Sequence, residues 1–371
     1  MSSEEKPAPR EESNLHIGLS LLLAAVIGVF FLYLAARSVS LGAVGDYLAE
    51  VDLLRLAWGA VVFIVLYALC HGARVVRWLF LVRPLGEVEP SKVYKVGAVG
   101  FTAILLLPLR LGELVRPFLM ARTSKVSGAG ALATVVVERV IDGLVVTGLL
   151  FAGLWTYSGE ASLELARGAG MAAAAIFVPA LVMCFVAYYN RRLARRLVMA
   201  TLGRLSEKWG QRVAKLLEQF ATGFAAMSKG GDLIPFLGLT AVYWTANVVS
   251  MWALLRIGFD LDIGLWEMVT VLAVLVVGIM VPAGPAMAGN FEFFMLHGIG
   301  LYVPVEVEEV GAQAGFYAAL VHLLQILVIV LPGVWIMIRD RSLRWNRKTL
   351  EASKRMEAEE GSELTGPRPE K

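Results

Sequence analysis

Residues 128–157 read GAGALATVVVERVIDGLVVTGLLFAGLWTY, and the fold turns on them. The run is long enough to cross a bilayer as a helix, which takes roughly 20 apolar residues. Glu138, Arg139 and Asp142 nevertheless stand inside it. Ionised side chains cannot face hydrocarbon cheaply, so this helix needs neighbours that shelter them. A lone spanning helix offers no such shelter and a bundle does. The fold expected is therefore an all-α polytopic membrane protein with a polar interior.

The rest of the chain supplies the bundle. Of 371 residues 58% are hydrophobic and only 18% charged, and the mean hydropathy is +0.68, far above the soluble range. Six apolar runs have spanning length: 15–36, 56–82, 128–157, 168–189, 233–256 and 312–338. Two more, 96–107 and 267–281, run into proline and glycine and resume as shorter apolar pieces. These read as broken or re-entrant hairpins over 96–119 and 267–300. Cys70 and Cys184 each lie within an apolar run, which excludes a disulfide framework and a cysteine-rich metal site. No cofactor, metal or nucleic acid is implied.

Lysine and arginine set the orientation. Arg83, Lys92 and Lys95, then Arg116, Arg122 and Lys125, then the dense basic stretch from Arg191 to Lys215, and finally Arg339 to Lys348 all read as cytoplasmic. Glu160, Glu164, Asp260, Asp262, Glu306, Glu308 and Glu309 mark the outer connections. The predicted location is the cytoplasmic (inner) membrane with both termini inside. Alternation then makes the two hairpins enter from opposite faces. Each ends in proline with glycine four residues on, Pro108 to Gly112 and Pro285 to Gly289, as an inverted repeat would. The organisation expected is a disordered tail (1–14), a first half (15–190), a basic amphipathic linker (191–232), a second half (233–338), and a tail (339–371), basic and then disordered.

Buried charge marks the candidate site. Arg110, Glu113 and Arg116 form a stripe at i,i+3 spacing beyond Pro108, and a guanidinium there can hold a phosphate bidentately. Glu138, Arg139 and Asp142 must face the bundle interior. Arg139 can pair with Asp142, and Arg110 or Arg116 with the remaining carboxylate; the plainer reading is a network that only locks hairpin to helix. Asn290 and Glu292 follow Gly289, Glu292 being either a proton carrier or a helix-end charge held by the macrodipole. Pro108, Gly112, Pro282, Pro285 and Gly289 are the expected hinges. His322 and Gln325 read as interhelical hydrogen-bonding residues, and His71 with Arg74 and Arg77 as lying near a helix end. Trp155, Tyr157, Tyr188, Tyr189, Trp244, Trp266 and Trp335 read as interfacial anchors.

Pro108-Leu-Arg-Leu-Gly-Glu-Leu-Val-Arg-Pro117, followed by Ala133 to Asp142, resembles the lysylphosphatidylglycerol synthase transmembrane-region family, also called flippase-like membrane proteins. Pro282, Pro285, Gly289 and Glu292 resemble its second motif more loosely, around an insertion at Ala286 to Ala288. The resemblance runs over roughly 15–338. It implies a helical inner-membrane protein related to the flippase half of enzymes that aminoacylate phosphatidylglycerol, and it leaves the lipid open. The chain ends soon after the last span, without the soluble transferase domain of the two-part enzymes, so synthase activity is not expected. The function expected is a lipid translocase holding an anionic or phosphate-bearing head group in a midplane cavity. An anionic phospholipid, an aminoacylated phospholipid and a polyprenyl-phosphate lipid stay open as partners, as does a homo-oligomer. An intramembrane lipid-modifying enzyme and an accessory subunit that recruits a soluble partner are the alternatives.

Overall fold

The computed structural model describes residues 26–34, 41–107, 112–157, 164–207, 231–281 and 285–343, with scattered positions between 210 and 221. These residues are helical and contain no strand. Pro108, Arg110 and Pro282 lie outside the described residues, as does all of the first expected span except its helical part, 26–34.

Local chemistry sets the helix starts. α1 (Leu41–Glu50) leads into α2 (Leu53–Val82), where the Asp52 carboxylate accepts the N–H groups of Leu54 and Arg55 at 2.9 and 3.1 Å, a cap worth about 1 kcal/mol. α3 (Pro90–Leu106) opens on a proline, whose missing donor is harmless in a first turn. The chain breaks there and resumes as α4 (Val115–Thr123). Ser127 caps α5 (Gly128–Trp155) by accepting from Gly130 N at 3.1 Å. α6 (Glu164–Tyr189) and α7 (Arg191–Leu205) meet at Asn190, which caps α7 through Leu193 N at 3.0 Å. α8 (Leu233–Gly258) precedes the second broken pair, α9 (Leu265–Gly278) and α10 (Asn290–Ile299), and α11 (Glu308–Arg339) follows.

The segments 53–85, 170–189, 233–258 and 308–339 are long and apolar enough to cross a membrane. Their outer faces are oily: Leu54 is 80% exposed, and Trp58, Val65, Leu331 and Ile338 are exposed too, whereas Arg77, Arg116 and Glu138 are wholly buried. Charge inside and hydrocarbon outside is the arrangement that lipid, not water, stabilises. Trp155, Tyr189, Trp266 and Trp335 are exposed as anchors should be. Trp244 is not: it is buried in the bundle, because its face of α8 packs inward.

The helices pair reciprocally. α2 lies along α8, α3 packs on α11, and α9 packs on α5. Glycine makes both outer seams close. A Cβ on Gly333 of α11 would come within 2.0 Å of Thr102 Oγ1 on α3, and one on Gly153 of α5 within 2.0 Å of Thr270 Oγ1 on α9. At the first seam Thr102 also donates to the Ile329 carbonyl at 3.0 Å. On α7, Arg191, Arg192, Arg195 and Arg196 are exposed, as are Leu193 and Leu197, while Ala194 and Val198 are buried.

Candidate functional site

The charges of α5 are met from two directions. Arg77 of α2 grips Asp142 bidentately, Nη1 to Oδ1 at 2.8 Å and Nη2 to Oδ2 at 2.6 Å, and Nη2 also reaches Glu138 Oε1 at 2.9 Å. Arg116 of α4 donates to the other Glu138 oxygen at 2.7 Å. Thr240 of α8 accepts from Arg77 Nη1 at 3.3 Å, and the Arg116 guanidinium lies 5.0 Å from the Trp78 ring and 4.5 Å from the Phe101 ring. Two carboxylates thus bind two guanidinium groups, fastening α2, α4 and α5 together in a buried interior. Such a lock holds position more than it adds net stability, since desolvation offsets much of the attraction.

Two expectations change here. Arg139 does not pair with Asp142, because Arg77 occupies both Asp142 oxygens. His71, Arg74 and Arg77 do not sit at a helix end; α2 continues to Val82, so the three fall on an inward face. Arg116 meets the α5 carboxylate as expected. A stripe of His71, Arg74 and Arg77 at i, i+3, i+6 spacing was the sequence signal for this inward face, masked by the basic flank that follows it.

Beside the lock is a chamber of about 130 Å³. Arg74, Glu113, Arg139, Asp142, Trp244 and His322 line it, together with apolar side chains from α3, α9 and α11. Among the described residues four arginines (Arg74, Arg77, Arg116, Arg139) face three carboxylates (Glu113, Glu138, Asp142) here. Arg74 stacks 4.1 Å from the Phe101 ring. Buried Arg74 Nε, Arg139 Nε and Nη2, and Trp244 Nε1 have no hydrogen-bond partner among the described residues. Buried donors left unpaired are costly, and a group of them around one chamber is suited to an anionic guest.

The second break is built differently. Gly289 adopts φ 84°, and a Cβ there would meet Gly28 O and Leu32 N at 2.4 Å, so the 26–34 helix lies directly on it. Gly112 in the first break has a similar role: a Cβ would fall 2.1 Å from the Ala103 and Ile104 backbone. Asn290, fully buried, donates from Nδ2 to the Val281 carbonyl at 2.9 Å and so staples the two sides of the second break. Glu292 accepts from Gly289 N at 2.8 Å, capping α10, and its other oxygen lies 2.6 Å from His322 Nδ1 on α11. His322 Nε2 is 2.7 Å from the Ala286 carbonyl, and its ring stacks on Phe291 at 4.2 Å. Pro285 opens a tight turn in which Ala286 and Met287 take φ 56° and 59°. Glu292 is thus both a helix cap and one half of a pair with histidine. That pairing could not be read from sequence, because its members lie on different helices.

Of the expected site residues, Glu113, Arg139 and Asp142 line the chamber, Arg116 and Glu138 form the adjoining lock, and Asn290 and Glu292 organise the second break. Arg74, Arg77 and His322 join them.

A family model described as the lysylphosphatidylglycerol synthase TM region matches residues 21–333. Glycosyltransferase AglD of Haloferax volcanii is 26% identical over 358 residues, an alignment covering 89% of this chain and 55% of that protein. The chain therefore spans about half the length of this relative. No solved structure matches.

Proposed function

Because the chain belongs to the lysylphosphatidylglycerol synthase transmembrane-region family, we propose that it is a translocase for a lipid with an anionic, phosphate-bearing head group. The observation that carries this reading is the set of arginine nitrogens without a partner among the described residues, Arg74 Nε and Arg139 Nε and Nη2, on two residues that line one interior chamber. A phosphate brings several acceptor oxygens and the negative charge that four arginines against three carboxylates leave wanting. The ion-pair lock of Arg77, Arg116, Glu138 and Asp142 holds the chamber wall in place while the guest enters and leaves.

In this reading the two halves form an inverted repeat of six spans and two hairpins, with both termini cytoplasmic and the protein in the inner membrane. The reciprocal packing of α3 on α11 and α9 on α5 supports it, since rocking one half against the other exposes a central site to alternate sides. Proteoliposomes carrying a labelled anionic phospholipid test the reading. Arg74→Gln and Arg139→Gln should each slow flipping by roughly tenfold or more, the loss of one charge-assisted contact. Unchanged flipping by both folded variants refutes it. Running a zwitterionic phospholipid and a polyprenyl phosphate alongside separates the lipid classes.

The relative named a glycosyltransferase motivates a second reading, an intramembrane enzyme acting on a lipid-linked sugar. Glu138, its obvious base, has both oxygens engaged by arginine, which favours transport. Turnover of a glycosylated lipid by the purified chain, lost on Glu138→Gln, would reverse that preference.

A further inference from the structure

The hydrogens between Glu292, His322 and Ala286 can be counted. A backbone carbonyl only accepts, so the 2.7 Å contact from His322 Nε2 to Ala286 O requires a hydrogen on Nε2. The 2.6 Å contact between Nδ1 and Glu292 Oε1 holds one more, on either atom. Oε2 already accepts from Gly289 N–H at 2.8 Å and has no need of a proton. The pair therefore holds two hydrogens, one more than an ionised glutamate and a neutral histidine carry between them. It is neutral overall, as imidazolium with carboxylate or as imidazole with carboxylic acid.

When that proton leaves, a single hydrogen must serve two contacts. On Nε2 it leaves the Nδ1 lone pair against a carboxylate; on Nδ1 it leaves the Nε2 lone pair against a carbonyl. The carboxylate is the stronger acceptor, so the hydrogen moves to Nδ1 and the Ala286 contact opens. What it lets go is strained: Ala286 and Met287 are non-glycine residues in the left-handed region, a conformation that persists only where its surroundings hold it.

We propose that Glu292 and His322 form a proton-binding site that latches the 285–289 turn to α11, and that release of this proton frees the turn. Met287, Phe291 and His322 border the chamber, so the latch sits at the guest's wall. The charged groups that share the chamber are Arg74 from α2, Glu113 from the short turn before α4, and Arg139 and Asp142 from α5; Tyr243 faces it from α8, and the lining residues of α3 and α9 carry no charge. An anion beside Arg74 and Arg139 and a proton on the pair attract one another across this space, which couples cargo to proton. That coupling rests on the anionic-lipid reading, whereas the latch does not.

The test is the pH dependence of access to the turn. In liposomes, Met287→Cys in a Cys70→Ala/Cys184→Ala background is labelled with a small permeant maleimide from about pH 5 to about pH 9, a range that brackets ordinary carboxyl and imidazole titration. Glu292→Gln serves as the reference, since its amide donates to Nδ1, accepts from Gly289 N–H and keeps the latch shut at every pH. Dividing by this reference also removes the thiol's own pH dependence. The ratio should climb by about tenfold per pH unit through the transition, as loss of one proton requires. His322→Phe, which keeps the ring on Phe291, should label fast throughout; if it does not fold, the ratio alone decides. A flat ratio overturns the latch, as does a Glu292→Gln profile that follows the wild type. A rising ratio with no lipid flipping leaves the latch standing and removes the lipid reading, while intact flipping with a flat ratio does the reverse.

Discussion

The two breaks in the bundle solve the same problem by opposite means. Around the first, Arg77 and Arg116 hold Glu138 and Asp142 through charge-assisted contacts of 2.6 to 2.9 Å, with every carboxylate oxygen engaged. Around the second, one neutral staple at Asn290 and one histidine–glutamate pair hold a turn with two left-handed non-glycine residues. Arginine stays charged at any accessible pH, so the cationic half of the first arrangement does not exchange protons. Histidine and glutamate can exchange one. In the proposed cycle the first break is the fixed wall and the second the movable one.

The largest expected effect tests the fixed wall. Glu138→Ala strands Arg116 in the buried interior and leaves Arg77 to Asp142 alone, and should cost about 3–5 kcal/mol, the penalty for breaking a buried ion pair; thermal unfolding in detergent reads it. If instead the melting point hardly moves, water reaches the lock and the contrast fails. Next come the glycines. Gly289→Ala puts a Cβ into the 26–34 backbone at a positive φ, a strain of about 1–3 kcal/mol before any steric displacement. It should loosen the contact between that helix and the second break, seen as faster hydrogen exchange at 28–32.

The seams provide a matched pair. Gly153→Ala and Gly333→Ala each press a methyl onto a threonine of the opposite hairpin and should each cost about 1–3 kcal/mol, as overpacking does. Similar losses of melting temperature would favour the proposed correspondence between the halves, and a large disparity would break it. The smallest effect belongs to Arg139→Gln. It forms no salt bridge among the described residues and keeps buried donors without partners there, so its removal should leave stability unchanged or raise it by about 1 kcal/mol while lipid movement falls.

Sequence reveals the first arrangement better than the second, for a physical reason. A glutamate and an aspartate inside an apolar run announce that they are sheltered, and Arg116 follows from the stripe of Arg110, Glu113 and Arg116. Arg77 escapes because Arg74 and Arg77 stand in the last third of the apolar run 56–82 with Arg83 just beyond it, and such a basic flank looks the same whether α2 stops before it or carries it inward. Trp244 misleads likewise, since a tryptophan suits an interface or a chamber equally well, and this one stands midway along α8 in the chamber wall. The second break shows its prolines and glycines, but Glu292 and His322 meet only when α10 folds onto α11, and nothing local encodes that meeting.

The twin contacts of Thr102 on Gly333 and Thr270 on Gly153 bear on how evenly such a bundle is balanced. A tilt that eases one junction and tightens the other trades a threonine against a glycine for the same thing again. Packing then contributes little preference between the two tilts. In the proposed cycle the bias falls to the groups that lack a twin: the buried arginines on one side, the hydrogen shared by Glu292 and His322 on the other.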